Sequence, residues 1–235
     1  MNQFVRFEAL LGKDKIESLK TKKICVFGLG GVGGNVCDSL IRSGIEHITI
    51  IDNDDVNESN INRQLIANTK TIGKAKVDVM EEHLKSLNPN VKVIKFKRFY
   101  LPEESDFINF KDYDYVIDAI DTVKAKIDII EKCINQNVKV ITALGCGNKM
   151  NPTMLEVSDL AKTSYDPLAK VLRRELAKKG IKHVKVIYSK ESPIEPKEKE
   201  LLSSGEKKNV PASSPFVPPV AGIIIASEVI KDLLD

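Results

Sequence analysis

The feature that most constrains this chain is the stretch Lys23-Ile-Cys-Val-Phe-Gly-Leu-Gly-Gly-Val-Gly33, followed at an interval by Ile48-Thr-Ile-Ile-Asp52. An apolar run over 24–27 breaks into Gly28-x-Gly30-x-x-Gly33 and continues at helical spacing through Val36, Leu40 and Ile41. Strand, tight turn and helix in that order open a Rossmann unit. Gly28 allows the turn, Gly30 and Gly31 let the backbone approach a phosphate, and Gly33 lets the helix lie close on the strand. The free N–H groups at the helix start favour an anion. Asp52 ends the second apolar strand, where a carboxylate accepts the hydroxyl protons of a ribose. The pattern specifies a nucleotide site and leaves a redox dinucleotide and ATP both open.

Strand and helix patterns alternate five times up to residue 150, and the stretch at 115–120 is apolar enough to be buried on both faces, as parallel strands are. The pattern then changes. Residues 153–158 and 183–189 alternate in the antiparallel manner, on either side of a basic helix opened by Asp166-Pro167. The expected fold is α/β: a Rossmann-like open sheet, parallel in its first half with antiparallel strands added in its second, and helices on both faces. Residues 1–235 read as one domain, with 1–150 the nucleotide-binding half and 151–235 the substrate-binding half. Residues 190–215 form a long flexible loop without an element, and Pro218-Pro219 start a closing helix at 220–234. At the other end, residues 4–19 are amphipathic, broken by Gly12, with Leu10, Leu11, Ile16 and Leu19 as the buried face.

No run approaches the roughly eighteen apolar residues of a membrane span, and residues 1–6 hold no apolar signal core. The expectation is a cytoplasmic protein with no membrane partner. Cys25, Cys37, Cys133 and Cys146 form no C-x-x-C pair, which argues against a structural zinc site and a disulfide framework. Three of them read as small buried hydrophobes, whereas Cys146, between Gly145 and Gly147 at a strand end, stands where it can face a pocket. The net charge of +3 conceals an asymmetry, because residues 170–208 carry twelve Lys and Arg against six Glu. Such a segment either meets nucleic acid or is a solvated face laced with Glu.

Beyond Asp52, Asn53-Asp-Asp-Val-Asn-Glu-Ser-Asn-Ile-Asn-Arg-Gln64 is too dense in Asn and Asp for a core. Arg63 and Gln64 lead into Leu65 and Ile66, the pattern of a loop returning beside the phosphate turn. Thr71-Ile-Gly-Lys-Ala-Lys76 then opens a helix. Lysines at a helix start oppose its dipole, so Lys74 and Lys76 mark either a nearby anion or two solvated side chains. The strand at 115–120 ends in Asp118-Ala-Ile-Asp121, on the edge where open parallel sheets bind ligands. A carboxylate beside a polyphosphate needs a cation between them, which makes Asp121 a candidate Mg²⁺ ligand. Thr122 is the candidate N-cap of the helix that follows.

Asp52-x-Asp54-x-Val-x-x-Ser59-Asn60-x-x-Arg63-Gln64, Gly73-x-x-Lys76 and Asp118-Ala-x-Asp121 together resemble the adenylating enzymes related to ubiquitin activation and to thiamine and molybdopterin synthesis. The Arg-Gln loop, the lysine and the second Asp have no place in a nicotinamide dehydrogenase. The resemblance implies ATP lying on Gly28, Gly30, Gly31 and Gly33, with its ribose on Asp52. It implies phosphates held by Asn60, Arg63 and Lys76, with Asp54 and Gln64 in the same nucleotide-binding set and Mg²⁺ on Asp121. The implied catalytic group is Arg63, Lys76, Asp121 and Arg6, the last completing the partner's site in a homodimer.

Phe7-Glu-Ala-Leu-Leu-Gly, Arg42-Ser-Gly-Ile, Asp159-Leu-Ala-Lys-Thr, Asp166-Pro-Leu, Val186-Ile-Tyr-Ser-Lys-Glu and Ser214-Pro-Phe-Val-Pro-Pro-Val-Ala-Gly are similar to one branch of that family. It is the branch that dehydrates threonylcarbamoyladenosine in tRNA. What this implies is a ligase-class enzyme that cyclises the threonylcarbamoyl group at the expense of ATP, with tRNA drawn to the basic segment. A sulfur-relay partner leaves no trace in the sequence. The alternative is adenylation of the C-terminal glycine of a ubiquitin-like or sulfur-carrier protein, for which Cys146 is the one cysteine placed to serve. A non-catalytic nucleotide sensor is a third reading, which the full set of phosphate-handling residues opposes.

Overall fold

The structure, a computed structural model, describes residues 2–198 and 211–235, so the loop expected over 190–215 lies partly outside the described residues. Strand β1 (Lys23–Phe27) sends Ile24 and Val26 into one core and Cys25 and Phe27 into another on the opposite face, the period-two alternation of a central strand. Among the described residues seven strands make one sheet in the order β3-β2-β1-β4-β5-β7-β6. Parallel to β1 run β2 (His47–Ile51), β3 (Lys92–Phe96), β4 (Tyr115–Asp118), β5 (Lys139–Ala143) and β7 (Lys185–Ser189). The last strand, β6 (Leu155–Asp159), pairs antiparallel with β7. The expected antiparallel pair is therefore present, with the reversal confined to the edge strand. Chain order turns back between β1 and β4, and that switch opens a crevice at the carboxyl edge of the sheet.

One face is covered by α3 (Gly33–Arg42), α4 (Lys76–Leu87) and α7 (Val217–Leu234), whose apolar sides share a core with Ile24, Val26, Ile48 and Ile50. The opposite face is covered by α5 (Val123–Asn135) and α6 (Pro167–Lys178). The helices α3 and α7 cross closely, because a Cβ at Gly222 would stand 2.3 Å from the Val32 carbonyl oxygen. Pro218 falls in the first turn of α7, where a missing N–H removes no helical hydrogen bond. Helix α6 is capped by Asp166, which accepts from the Ala169 N–H at 2.9 Å. Thr122 occupies the N-cap position of α5 but makes no capping bond with its side chain.

The opening segment departs from expectation. Gly12, at φ +92°, separates α1 (Val5–Leu11) from α2 (Lys13–Lys20), so the two helices do not share a face. Ile16 and Leu19 are fully buried, whereas Leu11 is half-buried and Leu10 is 75% exposed. No helix among the described residues is long and apolar enough to cross a membrane.

Candidate active site

At the switch point lies a cleft of about 440 Å³, lined by Gly28, Gly30, Gly31, Asp52, Asp54, Asn60, Arg63, Gln64, Lys76 and Asp121 among others. These belong to the set expected from the sequence, and the fold brings them together from four separate stretches. The turn after β1 is built by contact. A Cβ at Gly33 would sit 1.8 Å from the Gly28 carbonyl oxygen, and one at Gly28 would sit 2.7 Å from that of Ala119, at φ +88°. Neither position tolerates a side chain. The helix start therefore presses against the strand, just beyond the Gly28, Gly30 and Gly31 backbone that lines the cleft.

Asp52 is fastened to that turn. One of its oxygens accepts from the Leu29 N–H at 2.6 Å and the other from the Asp54 N–H at 2.8 Å. A carboxylate has capacity for about four such bonds, so two remain for a ribose. Burial raises the Asp52 pKa above the ordinary carboxylate value, although Lys76 and the two backbone N–H groups pull against it. Lys76, at the first turn of α4 and only 4% exposed, places Nζ 2.8 Å from Asp54 and 3.9 Å from Asp52. Lys74 is exposed in the preceding loop.

The Arg-Gln loop folds as its composition suggests. Asn57 and Asn60 cap each other's backbone, and Arg63 donates to the Ser59 carbonyl at 2.9 Å and to Asn62 Oδ1 at 2.8 Å. Burial depresses the Arg63 pKa, and no carboxylate pairs with it among the described residues. A half-buried guanidinium without a counter-charge is a standing demand for an anion. Gln64 is 7% exposed, and its Oε1 has no hydrogen-bond partner among the described residues. Such an orphaned buried polar atom calls for a ligand to complete it.

Asp121 is exposed in the loop beyond β4 and lines the cleft. Asp118, three residues earlier, is fully buried instead: its Oδ2 takes Lys126 Nζ at 3.0 Å and Thr142 Oγ1 at 3.0 Å, and burial raises its pKa. Lys126 also donates to the Ala143 carbonyl at 2.8 Å. The two acids of one short motif thus differ in place, one buried and holding the strand ends together and one exposed on the cleft.

The other wall was missed by sequence reasoning. Phe27, Ile51, Phe99, Tyr100 and Ile120 give the cleft an apolar side of the kind a base occupies. Arg98 lies 4.2 Å above the Phe107 ring, and Tyr100 donates to Asp128 at 2.6 Å. The available signal was Arg98-Phe-Tyr just past the carboxyl end of a strand. Three expected residues stay outside the cleft lining, among them Gly33, which packs against the Gly28 carbonyl instead. Arg6 is exposed on α1, and Cys146 is buried, with burial pushing its thiol up to about 11. Among the described residues no three His, Cys, Asp or Glu cluster as a metal cage.

The ThiF family model matches residues 2–235. The tRNA threonylcarbamoyladenosine dehydratase of Bacillus subtilis is 43% identical over 244 residues, which covers 100% of this chain and 95% of that protein. The Escherichia coli tRNA N6-threonylcarbamoyladenosine dehydratase, TcdA, solved in complex with AMP, superposes with a TM-score of 0.89 at 33% identity, covering 99% of this chain and 94% of that one. The same enzyme in complex with ATP gives 0.86 at 32% identity, covering 99% and 93%.

Proposed function

The chain belongs to the ThiF family, and on that premise we propose that it uses ATP to cyclise the threonylcarbamoyl group of a tRNA adenosine, with net loss of water. The observation that carries the reading is the full-length likeness to the B. subtilis dehydratase. The cleft supplies what the chemistry needs. A carboxylate resists attack because its charge deters a nucleophile and oxide is a poor leaving group. Attack by the threonyl carboxylate on the α-phosphorus of ATP expels pyrophosphate and leaves an acyl adenylate. Lys76 and Arg63 neutralise charge as it builds on the phosphates, in a site whose dipoles are already oriented. Asn60 holds the same phosphates, and Asp52 takes the ribose. A nitrogen of the ureido group then attacks the activated carbonyl and AMP departs. That step is intramolecular, so positioning suffices and no enzyme nucleophile is required.

Asp121 fits a magnesium ion, because its carboxylate is exposed on the cleft and Mg²⁺ completes its shell from phosphates and water. An ion held there would supply positive charge to offset that of the phosphates. Arg6, exposed on α1 and outside the lining of its own cleft, serves the partner's site in a homodimer. Residues 1–150 take the nucleotide and 151–235 the RNA, and the enzyme works in the cytoplasm, where a sulfur-relay partner remains compatible with it.

Carrier-protein activation is the second reading. Its thiol-dependent form is disfavoured by Cys146, whose buried, weakly acidic thiol does not line the cleft. The deciding experiment incubates tRNA bearing threonylcarbamoyladenosine with the protein and Mg-ATP and reads the nucleosides by mass spectrometry. The expected product is lighter by one water, with stoichiometric AMP, and Lys76→Ala forms neither. An unchanged nucleoside, with pyrophosphate exchange driven by a Gly-Gly peptide, transfers the assignment to the second reading.

A further inference from the structure

Tyr165 stands out on the surface. It is 75% exposed, and its backbone is left-handed, at φ +59°. A bulky side chain seldom adopts that conformation. Both flanks are pinned. On one side Arg173 donates to the Thr163 carbonyl at 3.0 Å and to that of Leu160 at 3.3 Å. On the other, Asp166 is buried, caps α6, and lies 3.9 Å from the buried ammonium of Lys149. The chain has to rise between these anchors, so the phenol ring is held out over solvent.

The loop that carries the ring lies at the carboxyl edge of the sheet. Asp118 and Thr142 are register partners on β4 and β5, so Asp121 and Gly145 each lie three residues beyond the same rung. A Cβ at Gly145 would touch Asp166 at 3.4 Å. Tyr165 therefore belongs to the loop one strand across from Asp121. Lys162 and Lys170, on either side of it in sequence, are exposed and form no salt bridge among the described residues, unlike Arg174 and Lys178, which pair with Glu175.

A lone exposed aromatic needs no explanation. One fixed by two buried anchors in a disfavoured conformation, with exposed lysines on either side of it in sequence, in a loop at the carboxyl edge of the sheet, does. We infer that Tyr165 is a stacking platform for an unpaired base of the RNA substrate, with Lys162 and Lys170 on the neighbouring phosphates. The chemistry is that of single-stranded RNA loops, whose splayed bases stack on aromatic rings while lysines track the backbone. This rests on the reading of the substrate as tRNA and adds where the loop is gripped.

The test is binding of a synthetic anticodon-type stem–loop carrying a fluorescent adenine analogue, whose emission is quenched on stacking. Wild type and Tyr165→Phe bind and quench. Tyr165→Ala loses the quench and about tenfold in affinity, while the slope of affinity against salt is unchanged. Tyr165→Gly, which removes the ring and relaxes the backbone, loses as much. Lys170→Ala keeps the quench and lowers the salt slope by about one. Nucleotide affinity is the same in all four variants and serves as the check on folding. Wild-type quenching and affinity in the Ala or Gly variant overturn the inference, as does failure of the wild type to bind the stem–loop. If the wild type binds and quenches but leaves the modified nucleoside intact, the functional reading falls and the platform stands.

Discussion

Lys76 and Lys126 are buried to nearly the same extent, 4% and 0% exposed, each beside an aspartate at a strand end, and they use their charge in opposite ways. Around Lys126 the cage is closed: Asp118 and the Ala143 carbonyl take its protons, Thr142 completes Asp118, and all of these groups are buried. Around Lys76 it is open. Its 2.8 Å partner, Asp54, has a side chain 57% exposed, and Asp52, at 3.9 Å, is already occupied by backbone N–H groups. An arriving phosphate can displace Asp54 and cannot reach Lys126. Burial alone therefore does not distinguish a lysine open to a ligand from a structural one; the exchangeability of its partner does.

The comparison is broken most severely by Lys126→Met. An uncompensated carboxylate is left at Asp118, and the expected loss is about 3–5 kcal/mol of stability by denaturant titration. Lys126→Met combined with Asp118→Leu recovers most of that loss, because a buried pair replaced by apolar groups of similar volume is nearly neutral. If the double variant is as unstable as the single, the cage is not what holds the strand ends. Lys76→Met is the mirror case. Adenylation, followed by pyrophosphate exchange, falls about 10²- to 10³-fold. Stability falls by only about 1 kcal/mol, since Asp54 simply rehydrates.

The two acids sharpen the contrast through pH. Burial raises both Asp52 and Asp118, so each binds its proton more tightly in the folded chain than in the unfolded one. Each therefore contributes a proton-linked term that favours folding fully below the unfolded value and is lost as pH rises through the raised folded value. In the proposed function Asp52 accepts the ribose hydroxyls as a carboxylate. Nucleotide affinity should fall about tenfold per unit as pH drops below its raised pKa, in an acid range above the ordinary value of about 3.9. Calorimetric titration of ATP at several pH values checks this, with Asp52→Asn flattening the profile. Asp118, sealed from the cleft, leaves no mark on that profile.

The glycine turn, Asp52 and the Arg63–Gln64 loop were legible because each is a local demand: a φ sign, a strand terminus, a polar run that cannot be core. Asp118 was visible as part of a motif, but its partner was not. Lys126 lies on an amphipathic helix, where a lysine reads as solvated, and only the packing of α5 across the ends of β4 and β5 turns it inward. Leu10 failed for a related reason, since a single amphipathic face was drawn through Gly12, where the helix axis changes. The apolar wall at Phe99 and Tyr100 comes from a segment between elements, which periodicity does not describe. Strand order was likewise beyond reach of the pattern, because adjacency of β1 and β4 is decided by crossovers rather than by either strand.

The contacts of α7 with the glycine turn have a consequence for the order of events during synthesis. Pro218 stands where a Cβ at Gly31 would be 2.9 Å away, and Gly222 lies against Val32, so the back of the phosphate turn is supplied by a helix translated long after it. The first strand, turn and helix leave the ribosome with one flank bare and wait for nearly the whole described sequence before that flank is covered. The phosphate turn is thus backed only once α7 has docked, although every residue lining the cleft itself precedes that helix in the chain.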